Sequence, residues 1–157
     1  METAVIKTPL GYTKITGDGN GISKIHILDE VIDITSKVPK DLREAVDQIK
    51  NYFEGKKTTF SFKINPTGTA FQQRVWQELL RIPYGKTCSY LELSKKLGDV
   101  KAIRAVATAN GKNPLWIVIP CHRVIGADGS LTGYAGGLWR KKWLIEHENP
   151  IKQQSLF

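Results

Sequence analysis

The spacing of apolar and polar residues divides the chain into a β-rich start and a longer, mainly helical remainder. Residues 5–8 and 11–16 read as short extended segments, and turn formers crowd Gly17-Asp18-Gly19-Asn20-Gly21. Residues 22–28 continue as a third strand whose apolar positions are Ile22, Ile25 and Ile27. The period changes over residues 39–53, where Leu42, Val46, Ile49 and Phe53 recur at helical spacing and Gly55 stands where a helix stop belongs. None of these residues forms a chemical constellation, and His26, inside the strand pattern, reads as structural.

Asn65-Pro66-Thr67-Gly68 gathers turn formers and sets a boundary between a domain of residues 1–65 and a domain of residues 66–157. Thr69 can cap a helix running to about Arg81, with Phe71, Val75, Trp76 and Leu79 on its buried side. Ile82-Pro83-Tyr84-Gly85-Lys86 breaks it. Two short helices follow, over 89–97 and 101–110, joined by Gly98-Asp99 and stopped by Gly111, the pattern of a helix-turn-helix. The second is rich in small residues: Ala102, Ala105, Ala107, Thr108 and Ala109. These suit close packing on a neighbour or a helix pressed against a nucleic-acid groove, and the single long cation Arg104 favours the groove. A closing helix over 138–147 puts Lys141 and Lys142 on its polar side and Trp143 and Leu144 inward, and ends with Glu146-His147-Glu148 before Pro150.

The apolar run Leu115-Trp116-Ile117-Val118-Ile119, closed by Pro120, reads as a buried strand that ends abruptly. Cys121-His122-Arg123 would then emerge at the edge of a packed core. A thiol is weakly ionised near neutral pH, and a neighbouring His or Arg raises its thiolate fraction. Core packing is the competing reading, because cysteine is among the most buried residue types. Neighbours on an extended backbone also point to opposite faces, so contact between His122 and the Cys121 sulfur does not follow. Further on, Gly126-Ala127-Asp128-Gly129-Ser130 forms a turn. In Leu131-Thr132-Gly133-Tyr134-Ala135-Gly136-Gly137 the glycine density lets backbone approach a ligand or serves as a connector.

Composition narrows the classes. The chain has 157 residues, no stretch near the length of a membrane span, and an N-terminus without the basic and apolar regions of a secretion signal. Cys88 and Cys121 are the only cysteines, too few for a disulfide scaffold and without the paired spacing of a zinc site, so a reducing cytoplasm fits. The net charge of +8 is uneven. Residues 1–65 carry ten Lys/Arg against nine Asp/Glu, whereas residues 66–157 carry thirteen against six. The half that holds Cys121 is the basic half, which suggests a polyanionic partner.

In this order, the motifs closely resemble the O6-alkylguanine-DNA alkyltransferases, single-turnover proteins that repair alkylated guanine. The residues carrying the resemblance are Gly111-Lys112-Asn113-Pro114, Ile119-Pro120-Cys121-His122-Arg123-Val124, Gly133-Tyr134-Ala135-Gly136-Gly137-Leu138 and His147-Glu148. Ile82-Pro83-Tyr84-Gly85-Lys86-Thr87 and Arg104-Ala105-Val106 agree as well. The match covers residues 66–148; the first 65 residues match in general layout.

The resemblance implies an α/β (α+β) protein: a small N-terminal ribonuclease H-like α/β domain, then a C-terminal winged helix-turn-helix domain. It makes Cys121 the alkyl acceptor. His122, through a water, and Glu148, which orients His122, would lower the thiol's proton affinity. Asn113 would brace the active-site turn, and Tyr90 would press on the adjacent phosphate and protonate the departing guanine. Arg104 would fill the space left by a flipped nucleotide. Val124, Tyr134 and the Ala135 amide would line the guanine pocket, while Ala102, Ala105, Arg123 and Lys141 would face DNA.

The implied partner is double-stranded DNA carrying O6-alkylguanine, with O4-alkylthymine a second lesion to consider, acted on by a monomer without cofactor. Ala135 stands where many relatives have serine. The zinc-binding cysteines of some relatives are missing from the first domain, so no metal is expected. Two other classes compete. A Cys-His hydrolase would leave Arg104 and the basic half without purpose, and damage recognition without repair is carried out by relatives that lack the acceptor cysteine.

Overall fold

The computed structural model describes residues 1–131, 134 and 137–150. The chain forms two compact units, one of Met1–Thr67 with Pro114–Trp116, the other of Gly68–Asn113 with the described residues from Ile117 onward. In the first unit, β1 (Glu2–Thr8), β2 (Gly11–Asp18) and β3 (Gly21–Leu28) make an antiparallel meander in the order β1-β2-β3. Register places Ala4 opposite Ile15 and Ile15 opposite Ile25, so a row of apolar side chains runs across the buried face. A register shift at Thr16/Gly17 inserts an extra residue into β3. That bulge turns Ile22 and Ile25, three positions apart, to the same buried side.

Leu42, at the end of a 3-10 turn, and α1 (Arg43–Phe53) supply the cover, burying Leu42, Ala45, Val46, Ile49 and Tyr52. Each fully buried aliphatic side chain here contributes roughly 2 kcal/mol. Both sheet edges are occupied. Val5 exchanges hydrogen bonds with Thr35, and β3 receives Lys63, Asn65, Pro114 and Trp116.

The second unit is helical. Its helices are α2 (Ala70–Leu79), α3 (Tyr90–Lys96), α4 (Ile103–Gly111) and α5 (Leu138–Glu148). Capping boxes start two of them, Thr69 with Gln72 on α2 and Ser89 with Glu92 on α3. α2 packs on α4 through Trp76, which is 2 % exposed and donates its indole N–H to the Ala109 carbonyl at 2.9 Å. Gly98, at φ 86°, makes the sharp exit from α3 that a residue with a Cβ rarely adopts. Asp99 then caps the 3-10 turn Val100–Ala102 that leads into α4.

The expected strand over residues 115–119 is not one. Leu115 makes a single bridge to Ile25, the following residues form tight turns, and Ile117 takes φ 73°. Pro114–Trp116 belong to the first unit and Ile117 onward to the second, so the run cannot extend a single ladder. Its uniform apolarity reflects burial, which turns and strands satisfy alike.

Candidate active site

Cys121, His122 and Arg123 form one turn of 3-10 helix directly after Pro120. The turn is tied on both sides. Cys121 N–H donates to the Ile119 carbonyl at 2.7 Å, and Asn113 Nδ2 donates to the same carbonyl at 2.6 Å. Asn110, buried at the end of α4, donates Nδ2 to the Cys121 carbonyl at 3.4 Å. Downstream, β5 (Val124–Ile125) pairs in parallel with β4 (Cys88–Ser89), setting Tyr90 at the start of α3 beside the turn. Because the segment is helical rather than extended, the alternation argued for Cys121 and His122 does not apply.

Behind the turn lies a buried ionic cluster. His122 is 0 % exposed and its Nε2 lies 2.8 Å from Glu148 Oε2 near the end of α5. Arg123 donates Nε to Glu148 Oε1 at 2.7 Å and Nη2 to Oε2 at 3.0 Å. Its third donor, Nη1, reaches the Ile82 carbonyl at 2.7 Å, and the guanidinium lies 5.7 Å from the Tyr84 ring centroid. Gly85, at φ 79°, brings this loop against the end of α5, where Asn149 Nδ2 donates to its carbonyl at 3.0 Å. Ion pairs out of water need this degree of hydrogen bonding to offset desolvation.

The electrostatics assign protonation states. Burial pushes the Glu148 carboxyl up, but the hydrogen bonds and charges of His122 and Arg123 outweigh it and hold it well below the usual carboxylate range. Burial lowers His122 against the opposing pull of Glu148, so the imidazole is neutral at rest. A neutral imidazole facing an ionised carboxylate carries its proton on Nε2, which leaves Nδ1 as a lone-pair acceptor. Nδ1 is buried and has no hydrogen-bond partner among the described residues.

Cys121 is 6 % exposed. Burial raises its thiol, and hydrogen bonding from Asn113, the Lys141 charge and hydrogen bonding from Tyr134 oppose the rise. Burial is the largest of these effects, so the buried site by itself favours the protonated sulfur. The cluster offers His122 Nδ1 as an acceptor for the thiol proton.

The structure gathers Cys121, His122, Glu148, Asn113, Tyr90, Val124 and Tyr134 around this turn. Arg104 and Ala105 are exposed on α4, Ala102 is half-buried, and Ala109 alone of the small residues packs inward beside Val106. Two basic residues fall elsewhere than expected. Lys141 is 0 % exposed instead of lying on the polar side of α5, and Arg123 is buried against Glu148 rather than open to DNA. Both cations found partners distant in sequence, which helical periodicity does not register. Ala135 lies outside the described residues. Asn110, Ile82 and Tyr84 had no assigned role; the one advance sign was a polar Asn110 just before the helix-stopping Gly111.

Comparison with known proteins places these features. The model of the 6-O-methylguanine DNA methyltransferase DNA-binding domain matches residues 70–150, and that of its ribonuclease-like domain matches residues 1–66. A methylated-DNA--protein-cysteine methyltransferase of Mycobacterium tuberculosis is 44% identical over 147 residues, covering 91% of this chain and 89% of that protein. One from Methanosarcina acetivorans is 42% identical over 153 residues, covering 94% and 98%. The crystal structure of Mycobacterium tuberculosis OGT in complex with DNA superposes with a TM-score of 0.86 at 43% identity, covering 96% of this chain and 94% of that one. The chain belongs to the 6-O-methylguanine DNA methyltransferase family.

Proposed function

We propose that this protein repairs O6-alkylguanine in double-stranded DNA by moving the alkyl group irreversibly to Cys121. The observation that carries the reading is the Cys121 turn backed by His122 and a permanently ionised Glu148. The S–H proton passes to His122 Nδ1 through a water, giving an imidazolium paired with Glu148. The thiolate attacks the alkyl carbon, a C–S bond forms, and the C–O6 bond breaks with its electron pair leaving on guanine. Tyr90 supplies a proton to the departing base and regains one from the relay, so the thiol hydrogen ends on guanine. The thioether has no activated carbonyl for water to attack, which limits each molecule to one turnover.

An alkyl carbon stacked in a duplex is out of reach of a buried sulfur, so the nucleotide must be everted at a cost of a few kcal/mol. Arg104, exposed on a helix face of alanines, is the side chain assigned to fill the gap, and the basic residues of 66–157 hold the backbone. We assign the chemistry to residues 66–157 and place the protein in the cytoplasm, where its two free cysteines stay reduced. The test is stoichiometry on duplex DNA bearing O6-methylguanine. One lesion should be repaired per protein molecule and no more; continued turnover refutes the reading.

A further inference from the structure

Asn110 is a polar side chain where the pattern of its helix calls for an apolar one. Val106, Ala109 and Asn110 share the buried stripe of α4, and Asn110 is 2 % exposed. Its backbone is held from both sides. Trp76 donates its indole N–H to the neighbouring Ala109 carbonyl at 2.9 Å, and Asn113 N–H donates to the Asn110 carbonyl at 3.4 Å. The side chain donates Nδ2 to the Cys121 carbonyl at 3.4 Å, while its Oδ1 is buried and has no hydrogen-bond partner among the described residues. The opposite orientation of the amide would set two oxygens face to face, so the donor belongs toward Cys121. For stability alone this arrangement is unfavourable. A bond at the long end of the range contributes little, and a buried acceptor left unpaired carries its full desolvation cost. A leucine of similar volume would fill the same space without that cost.

We propose that Asn110 is a positioning residue for alkyl transfer, its amide fixing the backbone of Cys121 and, through it, the direction of the sulfur. The inference rests on Cys121 being the alkyl acceptor. The backbone of that residue is held at each end. Cys121 N–H donates to the Ile119 carbonyl at 2.7 Å, and Asn113 braces the same carbonyl at 2.6 Å. The Cys121 carbonyl accepts the Val124 N–H that closes the 3-10 turn, and Asn110 supplies its second donor. A carbonyl oxygen has two lone pairs, and both are then engaged. Asn110 and Asn113, at the end of one helix, thus grip the acceptor residue from both sides, and the first turn of that helix carries Arg104. The requirement is geometric. Displacement at a saturated carbon needs the sulfur in line behind the C–O6 bond, and a misplacement of about 1 Å can cost on the order of a hundredfold in rate. Asn110 acts through the backbone of Cys121, so its loss should change how fast bound substrate reacts and leave how tightly it binds.

The test uses free O6-benzylguanine, so DNA binding does not enter. In wild-type protein and in Asn110→Leu, the single-turnover rate is followed against substrate concentration, with the benzyl group located by mass. The variant's limiting rate should fall about tenfold while the half-saturation concentration stays within about twofold of wild type. Its Tm should equal or exceed that of wild type, since leucine removes an unpaired buried acceptor. A limiting rate within about twofold of wild type overturns the inference. A lowered Tm with rate and half-saturation both impaired overturns it too, as the behaviour of a residue that only holds the fold. Should leucine overpack the site and the variant fail to fold, Asn110→Ala is measured in its place. The same split between limiting rate and half-saturation is expected there, and an unaltered limiting rate refutes the inference. Absence of benzyl on wild-type Cys121 instead refutes the functional reading beneath it.

Discussion

Arg123 grips Glu148 through two hydrogen bonds, Nε to Oε1 at 2.7 Å and Nη2 to Oε2 at 3.0 Å. The carboxylate that faces His122 is thus already committed to a cation one residue further along the same turn. This fixes the charge of Glu148 and, through it, the tautomer of His122. Removing Arg123 leaves a buried carboxylate short of its partner, the situation in which breaking an ion pair is most damaging. Arg123→Met should lower the free energy of unfolding by about 3 to 5 kcal/mol, read from urea titration. Arg123→Lys should recover only part of that, because a point charge cannot reproduce the two-pronged contact.

Glu148→Gln keeps the volume and a hydrogen-bond acceptor for His122 but removes the charge that stabilises an imidazolium. Single-turnover repair of O6-methylguanine duplex should slow by about a hundredfold, the scale of general-base assistance. Circular dichroism matched to wild type makes the loss attributable to chemistry. A rate within a few-fold of wild type would reduce Glu148 to a structural anchor.

His122 should also mark the pH dependence of stability. Its folded pKa lies below the ordinary 6.5, so the neutral form is the one the fold accepts. Above 6.5 both states are neutral and the group costs nothing. As pH falls below 6.5 the unfolded chain takes up a proton that the fold resists, and stability declines by up to about 1.4 kcal/mol per pH unit until the folded pKa is reached. Thermal melts between pH 7 and pH 5 should show a steeper loss in wild type than in His122→Gln. Equal slopes would show that His122 titrates freely in the fold. His26 is lowered as well and remains in both proteins, so the comparison isolates His122.

Arg104 separates DNA handling from chemistry, since it is exposed on α4 while the cluster around Cys121 is buried. Arg104→Ala should slow repair in duplex DNA far more than reaction with free O6-benzylguanine. Equal losses on the two substrates would remove its role as the side chain that replaces the everted base.

Local signals explain what could be read in advance. α2 was legible because Thr69 and Gln72 form a capping box and Val75, Trp76 and Leu79 repeat at helical spacing, both short-range properties. The three strands were legible from their turn residues, although the bulge that aligns Ile22 with Ile25 was not. The run from Leu115 to Ile119 misled because a buried turn and a buried strand need the same apolar residues, and no periodicity distinguishes five of them. Lys141 misled for a related reason. A helical pattern assigns a lysine to water by default, and the Tyr90 ring that its Nζ approaches comes from another segment. Glu148 stood at the chemical site only through resemblance, since nothing near it in sequence announces a partner at His122.

The measurement that bears most directly on this account is where the alkyl group ends. Protein incubated with duplex DNA containing O6-methylguanine, then digested and weighed peptide by peptide, should carry a single methyl on Cys121, in proportion to guanine restored and absent in Cys121→Ala. Repair that proceeds without that methyl, or with the methyl on any other residue, would contradict it.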